Sequence, residues 1–380
     1  MHLRNLLAAS ALVFNLNLSA QTDTIMHNGI PRTYIVHKPS SFSPGDTLPL
    51  VFSIHGLVMN AQSQSALSEF NPIADRERFI VVYPNGISNS WNTFGTPYNS
   101  GVDDVGFISA LIETLHQQYH IDLNRVYSCG MSNGGFMSYR LACELNDKIA
   151  AIASVTGSMT DSIEYYCTPS RPFPILHFHG TADPIVSYTG AGNIHGVEKA
   201  LRYWRQYNNC PSDSVKTEFP DTEPGDQTTV TRHSWAPCDG QVEVLHYRVN
   251  NGGHTWPGNT ENFLGVGGNI NLDVMASEII WEFFKQYTLP EITNSVPAND
   301  LEHEQFRIYP NPADGMLTIE IQNQDLKKIT LTDISGKVVS ENLSPQPHFT
   351  TLSVETCAPG MYLLNCETSE ASRVFKILVR

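Results

Sequence analysis

Long apolar runs are missing from this chain of 380 residues once its first twenty have passed, and nothing later approaches the ~18 residues of a membrane span. Basic residues are scarce: 23 Lys and Arg stand against 38 Asp and Glu, a formal net charge of −15. Nucleic-acid binding needs clustered Lys and Arg to neutralise phosphates, and with no such cluster here nucleic acid is excluded as a partner. Metal-ligand spacing is absent too, with no Cys-x-x-Cys, no H-E-x-x-H and no matched histidine pair. No metal and no cofactor is expected. A content of 41% hydrophobic and 16% charged residues is that of a globular protein, and the length leaves room for two folded units.

What is present begins with Met1 to Ala20, which carries Arg4, an apolar stretch from Leu6 to Leu18 and then Leu18-Ser19-Ala20. A basic start, a short apolar region and small closing residues read as a secretory signal peptide, so export is expected. Seven cysteines in an exported chain then favour disulfides, and the odd count leaves at least one free thiol. Cys129, inside an apolar run, is the expected buried thiol. The expected pairs are Cys143 with Cys167 and Cys210 with Cys238, each closing a loop worth about 3 kcal/mol. Cys357 with Cys366 is the third.

From Arg32 short apolar runs alternate with amphipathic stretches, the pattern of strands crossing through helices into a mostly parallel sheet. Strands are expected at Thr33 to His37, Leu50 to His55, Ile80 to Tyr83, Val126 to Met131, Ile149 to Ser154, Ile175 to His179 and Val242 to Tyr247. Helices are expected near Ser65 to Glu77, Val105 to Tyr119, Asn133 to Leu145, Val197 to Tyr207 and Val274 to Tyr287. In the second helix Phe107, Leu111, Ile112, Leu115 and Tyr119 form one apolar face. Thr288 to Glu304 reads as a linker. From Phe306 the short alternating runs FRIY, MLTIEI, KITLTDI, KVVS, TLSV, MYLLNC and RVFKILV predict a small separate β-sandwich. The organisation is therefore a signal peptide (1–20), an α/β domain (21–287), a linker (288–304) and a β-sandwich (305–380).

The chemistry converges on GMSNG after the Val126 strand. A serine on a sharp strand-to-helix turn is how an α/β-hydrolase presents its nucleophile, and Ser132 holds that place. Serine needs a histidine base and an acid that fixes the histidine's tautomer, following in the order Ser, Asp, His. Asp183, in LHFHGTADPIV, stands on the loop after a strand, and His254, in NNGGHTWPG, stands on a glycine-rich loop that lets its ring approach Ser132. Read singly, Asp183 is a turn residue or helix cap and His254 a surface residue; the ordered set makes them acid and base. His177, His179, His195, His233 and His246 compete for the base, the first two more as core histidines. The oxyanion would be held by the amides of Asn133 and Leu57, the latter after Gly56 in SIHGLVMNA. Trp91, Met131 and Trp256 are candidates for the wall of an acyl pocket. Asp103 and Asp104 read as the cap and charge of a helix N-terminus rather than as paired catalytic carboxylates.

With these residues in place, Pro31 to Tyr287 resembles the secreted polyhydroxybutyrate depolymerase-like and feruloyl esterases, close to carbohydrate esterase family 1. The blocks SIHG, DDVGFI, GMSNGG, HGTADPIVSY and GGHTWPG carry the resemblance in that order. It implies an α/β-hydrolase fold, the triad Ser132, Asp183 and His254, and the bridges Cys143–Cys167 and Cys210–Cys238. The implied activity is hydrolysis of a carboxylic ester on plant polysaccharide or of a polyhydroxyalkanoate polyester. A serine peptidase on the same fold, or a surface-displayed binding protein with an idle hydrolase domain, are the alternatives. The C-terminal stretch resembles the sorting domain of type IX secretion cargo, through Tyr309-Pro310-Asn311-Pro312, Gly360-Met361-Tyr362 and Lys376-Ile377-Leu378-Val379. That resemblance implies the type IX machinery as a partner and a secreted or cell-surface destination.

Overall fold

The computed structural model describes residues 22–93, 102–261, 267–289, 306–309, 311, 313–321, 325–333, 336–343, 345–346, 348–368 and 372–379. The expected signal peptide, residues 290–304 of the expected linker, and Pro310 and Pro312 lie outside them. The chain separates into two compact units, Met1–Glu291 and Ile292–Arg380.

The first unit opens with strands β1 (Thr22–His27), β2 (Ile30–His37) and β3 (Leu50–Ile54), then helices α1 (Ala61–Ser68) and α2 (Phe70–Glu77). Strand β4 (Ile80–Pro84), helix α3 (Asp104–Tyr119), strand β5 (Val126–Met131), helix α4 (Asn133–Glu144), strand β6 (Ala151–Val155) and helix α5 (Asp161–Tyr166) follow. After β7 (Ile175–Gly180) come a hairpin of β8 (Gly190–Ala191) and β9 (Ile194–His195), then α6 (Val197–Tyr207). Strands β10 (Val215–Glu218), β11 (Thr229–Trp235) and β12 (Val244–Asn250) and helix α7 (Ala276–Phe284) complete it.

Ten of these strands make one sheet in the order β1-β2-β4-β3-β5-β6-β7-β12-β11-β10. The six from β4 to β12 are parallel, and an antiparallel pair extends each edge. Successive side chains of a strand face opposite ways, and the central strands are apolar on both. Leu50, Phe52, Ile80, Val82 and Val126 join one core with α3, α4 and α6, whereas Val51, Val81, Tyr83 and Tyr127 join the other with α1, α2 and α7. The strand order reverses between β3 and β5, the topological switch point at whose carboxyl ends α/β sheets bind ligands. His55-Gly56-Leu57 leave one of these ends and Ser132 the other.

Where one helix was expected over Ser65 to Glu77 there are two, because Glu69 takes a left-handed conformation (φ 49°) and its N–H closes α1 on the Ser65 carbonyl. Strands β1, β10 and β11 and helix α5 were not anticipated: β1 and β10 run largely exposed, with no apolar run to mark them. Disulfides join Cys143 to Cys167 and Cys210 to Cys238. Cys129 is a buried free thiol, pushed up by burial. The expected bridge between Cys357 and Cys366 is not formed. Both are free, on different segments of the second unit, Cys366 within a buried strand face.

The second unit holds β13 (Phe306–Tyr309), β14 (Met316–Ile321), β15 (Leu326–Asp333), β16 (Val338–Asn342), β17 (Phe349–Ser353), β18 (Gly360–Thr368) and β19 (Ser372–Val379). They form a sheet β13-β14-β17 and a sheet β16-β15-β18-β19, antiparallel throughout. Leu317, Ile319 and Ile321 of one sheet and Ile329, Leu331 and Leu364 of the other share one core, the sandwich that the alternating runs predict.

Candidate active site

Ser132 sits between β5 and α4 with φ 54° and ψ −120°, a conformation that costs a non-glycine residue of order 1–3 kcal/mol and persists only where the surroundings impose it. Two contacts impose it. The Ser132 N–H donates to Val155 O at the end of β6 (2.8 Å), and Phe136 N–H donates back to Ser132 O (3.0 Å). The turn also needs close approach of backbone to backbone: a Cβ added to Gly134 would lie 2.1 Å from Ile54 O. The absence of side chains there lets α4 start hard against the end of β3.

Asp183 and His254 come together from different loops. His254 Nδ1 lies 2.8 Å from Asp183 Oδ2, with both side chains almost fully buried. The other carboxylate oxygen accepts the amides of Ile185 and Val186, each at 2.8 Å. Burial alone would raise the Asp183 pKa, but the hydrogen bonds and charges of His179 and His254 outweigh it and hold the carboxyl well below the usual range. Asp183 therefore stays ionised and fixes the proton of His254 on Nδ1. His254 Nε2 is left buried with no hydrogen-bond partner among the described residues. An acceptor nitrogen in that state is equipped to take a proton. The loop itself is pinned, with Gly253 N–H on Asn269 O (2.9 Å) and His254 N–H on Gly267 O (2.5 Å), so the free swing expected of a glycine-rich loop is not what holds the ring.

Of the residues expected to hold the oxyanion, Asn133 follows Ser132 directly and Leu57 adjoins a residue that packs against it. Asn133 opens α4, and Gly56, next to Leu57, approaches so closely that an added Cβ would stand 3.4 Å from Ser132 Cβ. The side chain of Asn133 does something the sequence did not announce. Its Oδ1 accepts Trp91 N–H (2.7 Å) and its Nδ2 donates to Thr93 Oγ1 (2.8 Å), clamping the segment Trp91 to Thr93 beside the elbow. Asn92, between them, donates its N–H to Asp104 (2.8 Å), and its carbonyl accepts from the Arg140 guanidinium (2.6 Å). Asp104 also pairs with Arg32 (2.6 Å) out of solvent, while Asp103 alone makes the expected helix cap on Gly106 N–H (2.8 Å).

The aromatic pocket candidates fare differently from expectation. Trp256 is 1% exposed, set edge-on against Phe70 with its indole N–H on Ser277, so packing uses its whole surface and leaves no face for an acyl group. Trp91 is buried as well, its ring 5.1 Å from that of His55 and its N–H on His55 O. Met131 ends β5 directly before Ser132 and is also buried. His55 itself was missed as a structural residue: it accepts Gly86 N–H and faces Gly56 O through Nδ1 (2.7 Å), and burial lowers it to about 4.

One group of metal-ligating types lies together among the described residues, Asp161, Glu164 and His195. Lys199 Nζ lies among them, 2.8 Å from His195 Nε2 and 3.0 Å from Asp161, and supplies the positive charge a cation would bring.

Comparison with known proteins agrees with this architecture. Residues 33–166 match the family model described as Esterase PHB depolymerase, and residues 307–380 match the Secretion system C-terminal sorting domain. The sorting domain marks the chain for export, to the cell surface or beyond it. A bifunctional acetylxylan esterase/xylanase of Neocallimastix patriciarum is 30% identical over 264 residues, 69% of this chain and 34% of the relative. Feruloyl esterase B of Piromyces equi is 28% identical over 274 residues, 68% of this chain and 46% of the relative. The chain thus spans less than half the length of these two. Feruloyl esterase C of Emericella nidulans is 26% identical over 258 residues, 67% of this chain and 83% of the relative. Among solved structures, an acetyl xylan esterase from Aspergillus awamori superposes with a TM-score of 0.50 at 14% identity, covering 70% of this chain and 99% of that one, a likeness of fold. Fold, ordered blocks and family matches agree: the first unit has the α/β-hydrolase fold and is similar to the polyhydroxybutyrate depolymerase-like, acetylxylan and feruloyl esterases, and the C-terminal stretch matches a secretion-system sorting domain.

Proposed function

We propose that this chain is an exported serine esterase that cleaves carboxylic esters on plant polysaccharide, acetyl or feruloyl groups on xylan, through an acyl-enzyme. Ser132 Oγ attacks the ester carbonyl as His254 Nε2 takes its proton, and the charge developing on the carbonyl oxygen is met by the amides of Asn133 and Leu57. His254 then returns the proton to the departing sugar oxygen, the acyl group remains on Ser132, and a water activated by the same nitrogen releases it as the acid. Asp183 keeps His254 in the one tautomer that can do this.

The observation that carries the reading is the Asp183–His254 contact with His254 Nε2 unpartnered, in a chain whose Ser132 stands on a strained strand-to-helix turn. The substrate class rests on the relatives named for acetylxylan and feruloyl esters. Polyester of the polyhydroxyalkanoate type is the second substrate, supported by the matching family description. The domain plan goes with this reading: a signal peptide (1–20), a catalytic domain (21–287), a linker (288–304) and a sorting domain (305–380) that engages type IX secretion machinery.

The test is a panel of acetylated xylan, feruloylated arabinoxylan and amorphous polyhydroxybutyrate incubated with the purified chain, with products identified by mass. Release of acetate or ferulate is expected. Cleavage of aminoacyl amides in preference to matched esters would move the assignment to a peptidase, and no cleavage of either would leave a binding protein.

A further inference from the structure

Strand alternation puts His177 and His179 on one face of β7, and neither has a part in the reaction as drawn above. Both are fully buried, with their rings stacked 5.3 Å apart. They form a continuous hydrogen-bonded chain that ends on Val186 O, with the carboxylate of Asp183 close beside its last nitrogen. Tyr139 Oη lies 2.8 Å from His177 Nδ1, His177 Nε2 lies 3.1 Å from His179 Nδ1, and His179 Nε2 lies 2.8 Å from Val186 O and 3.3 Å from Asp183 Oδ2.

The polarity of this chain follows from its last member. A carbonyl and a carboxylate can only accept, so His179 carries its proton on Nε2 and leaves Nδ1 as an acceptor. His177 must then donate from Nε2, and its Nδ1 accepts the Tyr139 hydroxyl. Burial agrees with each assignment. It pushes the Tyr139 phenol up, so the hydroxyl keeps its proton, and burial with the neighbouring His179 and His246 pushes His177 well below the ordinary histidine value, so it stays neutral with a single N–H. His246 backs the array through Nδ1 on His177 O (3.1 Å) and its Nε2 meets the Tyr188 hydroxyl (3.0 Å).

We propose that His179 is a positioning residue for the reaction, a second histidine beside Asp183 whose Nε2–H tautomer, required by Val186 O and the carboxylate, is reinforced by His177 and Tyr139. The amides of Ile185 and Val186 hold only Oδ1, so Oδ2, the oxygen that faces His254, is steered from the side by His179. This rests on the esterase reading above.

The experiment compares His179→Leu, His179→Gln and Tyr139→Phe in the full chain, by steady-state hydrolysis of a soluble acetyl or feruloyl ester and by thermal melts. Leu removes the donor to Asp183, and kcat should fall about 10–100-fold, the worth of one hydrogen bond to a charged group, with KM within about twofold. Gln restores an N–H toward Asp183 and should recover most of kcat. Leu at wild-type kcat, or Leu and Gln equally impaired while both remain folded, would overturn the proposal. Should the Leu variant fail to fold, Tyr139→Phe decides: losing one hydroxyl weakens the chain that reinforces the His179 tautomer and should lower kcat severalfold at unchanged KM, whereas unchanged kcat overturns the proposal. A wild-type chain with no esterase activity removes the esterase reading and this proposal together, while failure of the proposal alone leaves wild-type turnover intact.

Discussion

Asp183 Oδ2 and His254 Nδ1 meet at 2.8 Å across 71 residues of sequence, and no other described contact of His254's ring satisfies its second nitrogen. The pair holds the proton on Nδ1 and leaves Nε2 as an acceptor, the state that a base for a serine requires, and among the described residues no hydrogen bond yet joins that nitrogen to Ser132. Replacing Asp183 by Asn should leave the shape but allow the wrong tautomer of His254, lowering kcat by about a thousandfold or more with little change in KM. The same variant has a pH signature. Because the folded state depresses the Asp183 pKa, the wild type carries extra stability above the ordinary carboxylate value of about 3.9 and loses it as pH falls below. Melting temperatures of the two proteins should differ most near neutrality and converge in acid.

Buried histidines set a second pH dependence. His55 is lowered to about 4 and His246 to about 3, each mainly by burial, and His177 lies well below its ordinary value. In the unfolded chain these rings protonate near 6.5, whereas the folded state refuses the proton until far lower pH. Stability is therefore complete above about 6.5 and falls as pH drops, by about 1.4 kcal/mol per unit for each such histidine. Calorimetric melts between pH 8 and 4.5 should show a midpoint that declines steadily below 6.5. A flat midpoint down to pH 5 would contradict the burial of these rings as neutral species.

Arg32 and Asp104 form an ion pair with almost no solvent contact, and Asp104 also holds the Trp91 to Thr93 segment through Asn92. Arg32→Met leaves that carboxylate buried without its counter-charge, which should cost about 3–5 kcal/mol in urea unfolding. Asp104→Asn keeps a single acceptor oxygen, enough for Arg32 or for the Asn92 amide but not for both, and it leaves the Arg32 charge without its partner, so a comparable loss is expected.

Much of this was legible in the chain itself, and the exceptions have physical causes. Val126 to Met131, Ala151 to Val155 and Ile175 to Gly180 are buried on both faces, so their apolar runs announce them. Phe107, Leu111, Ile112 and Leu115 of α3 face one core with the periodicity of a helix. Strand β10 has no such run because it is the sheet edge, β11 beside it is half-buried over Arg232 to Ser234, and β1 alternates between exposed and half-buried positions. The candidate site was readable where a local motif marks a turn, as at Ser132. It was not readable where a long-range relation carries no motif at either end, unlike Asp183 with His254: Arg32 meets Asp104 across 72 residues, and Tyr139 meets His177 across 38. Trp256, expected as a wall of the acyl pocket, is a core residue because its indole finds Phe70 and Ser277. Only for His177 and His179 was a signal left unused, since two histidines at a spacing of two on a buried strand share a face.

The most direct test of the central claim is the reaction of the folded chain with a fluorophosphonate, with the site of labelling read by mass spectrometry alongside ester turnover of wild type and Ser132→Ala. Stoichiometric labelling at Ser132, with hydrolysis lost in the alanine variant and its melting temperature essentially kept, is the predicted result. Label at another residue, or a Ser132→Ala variant that still turns over ester, would contradict the account.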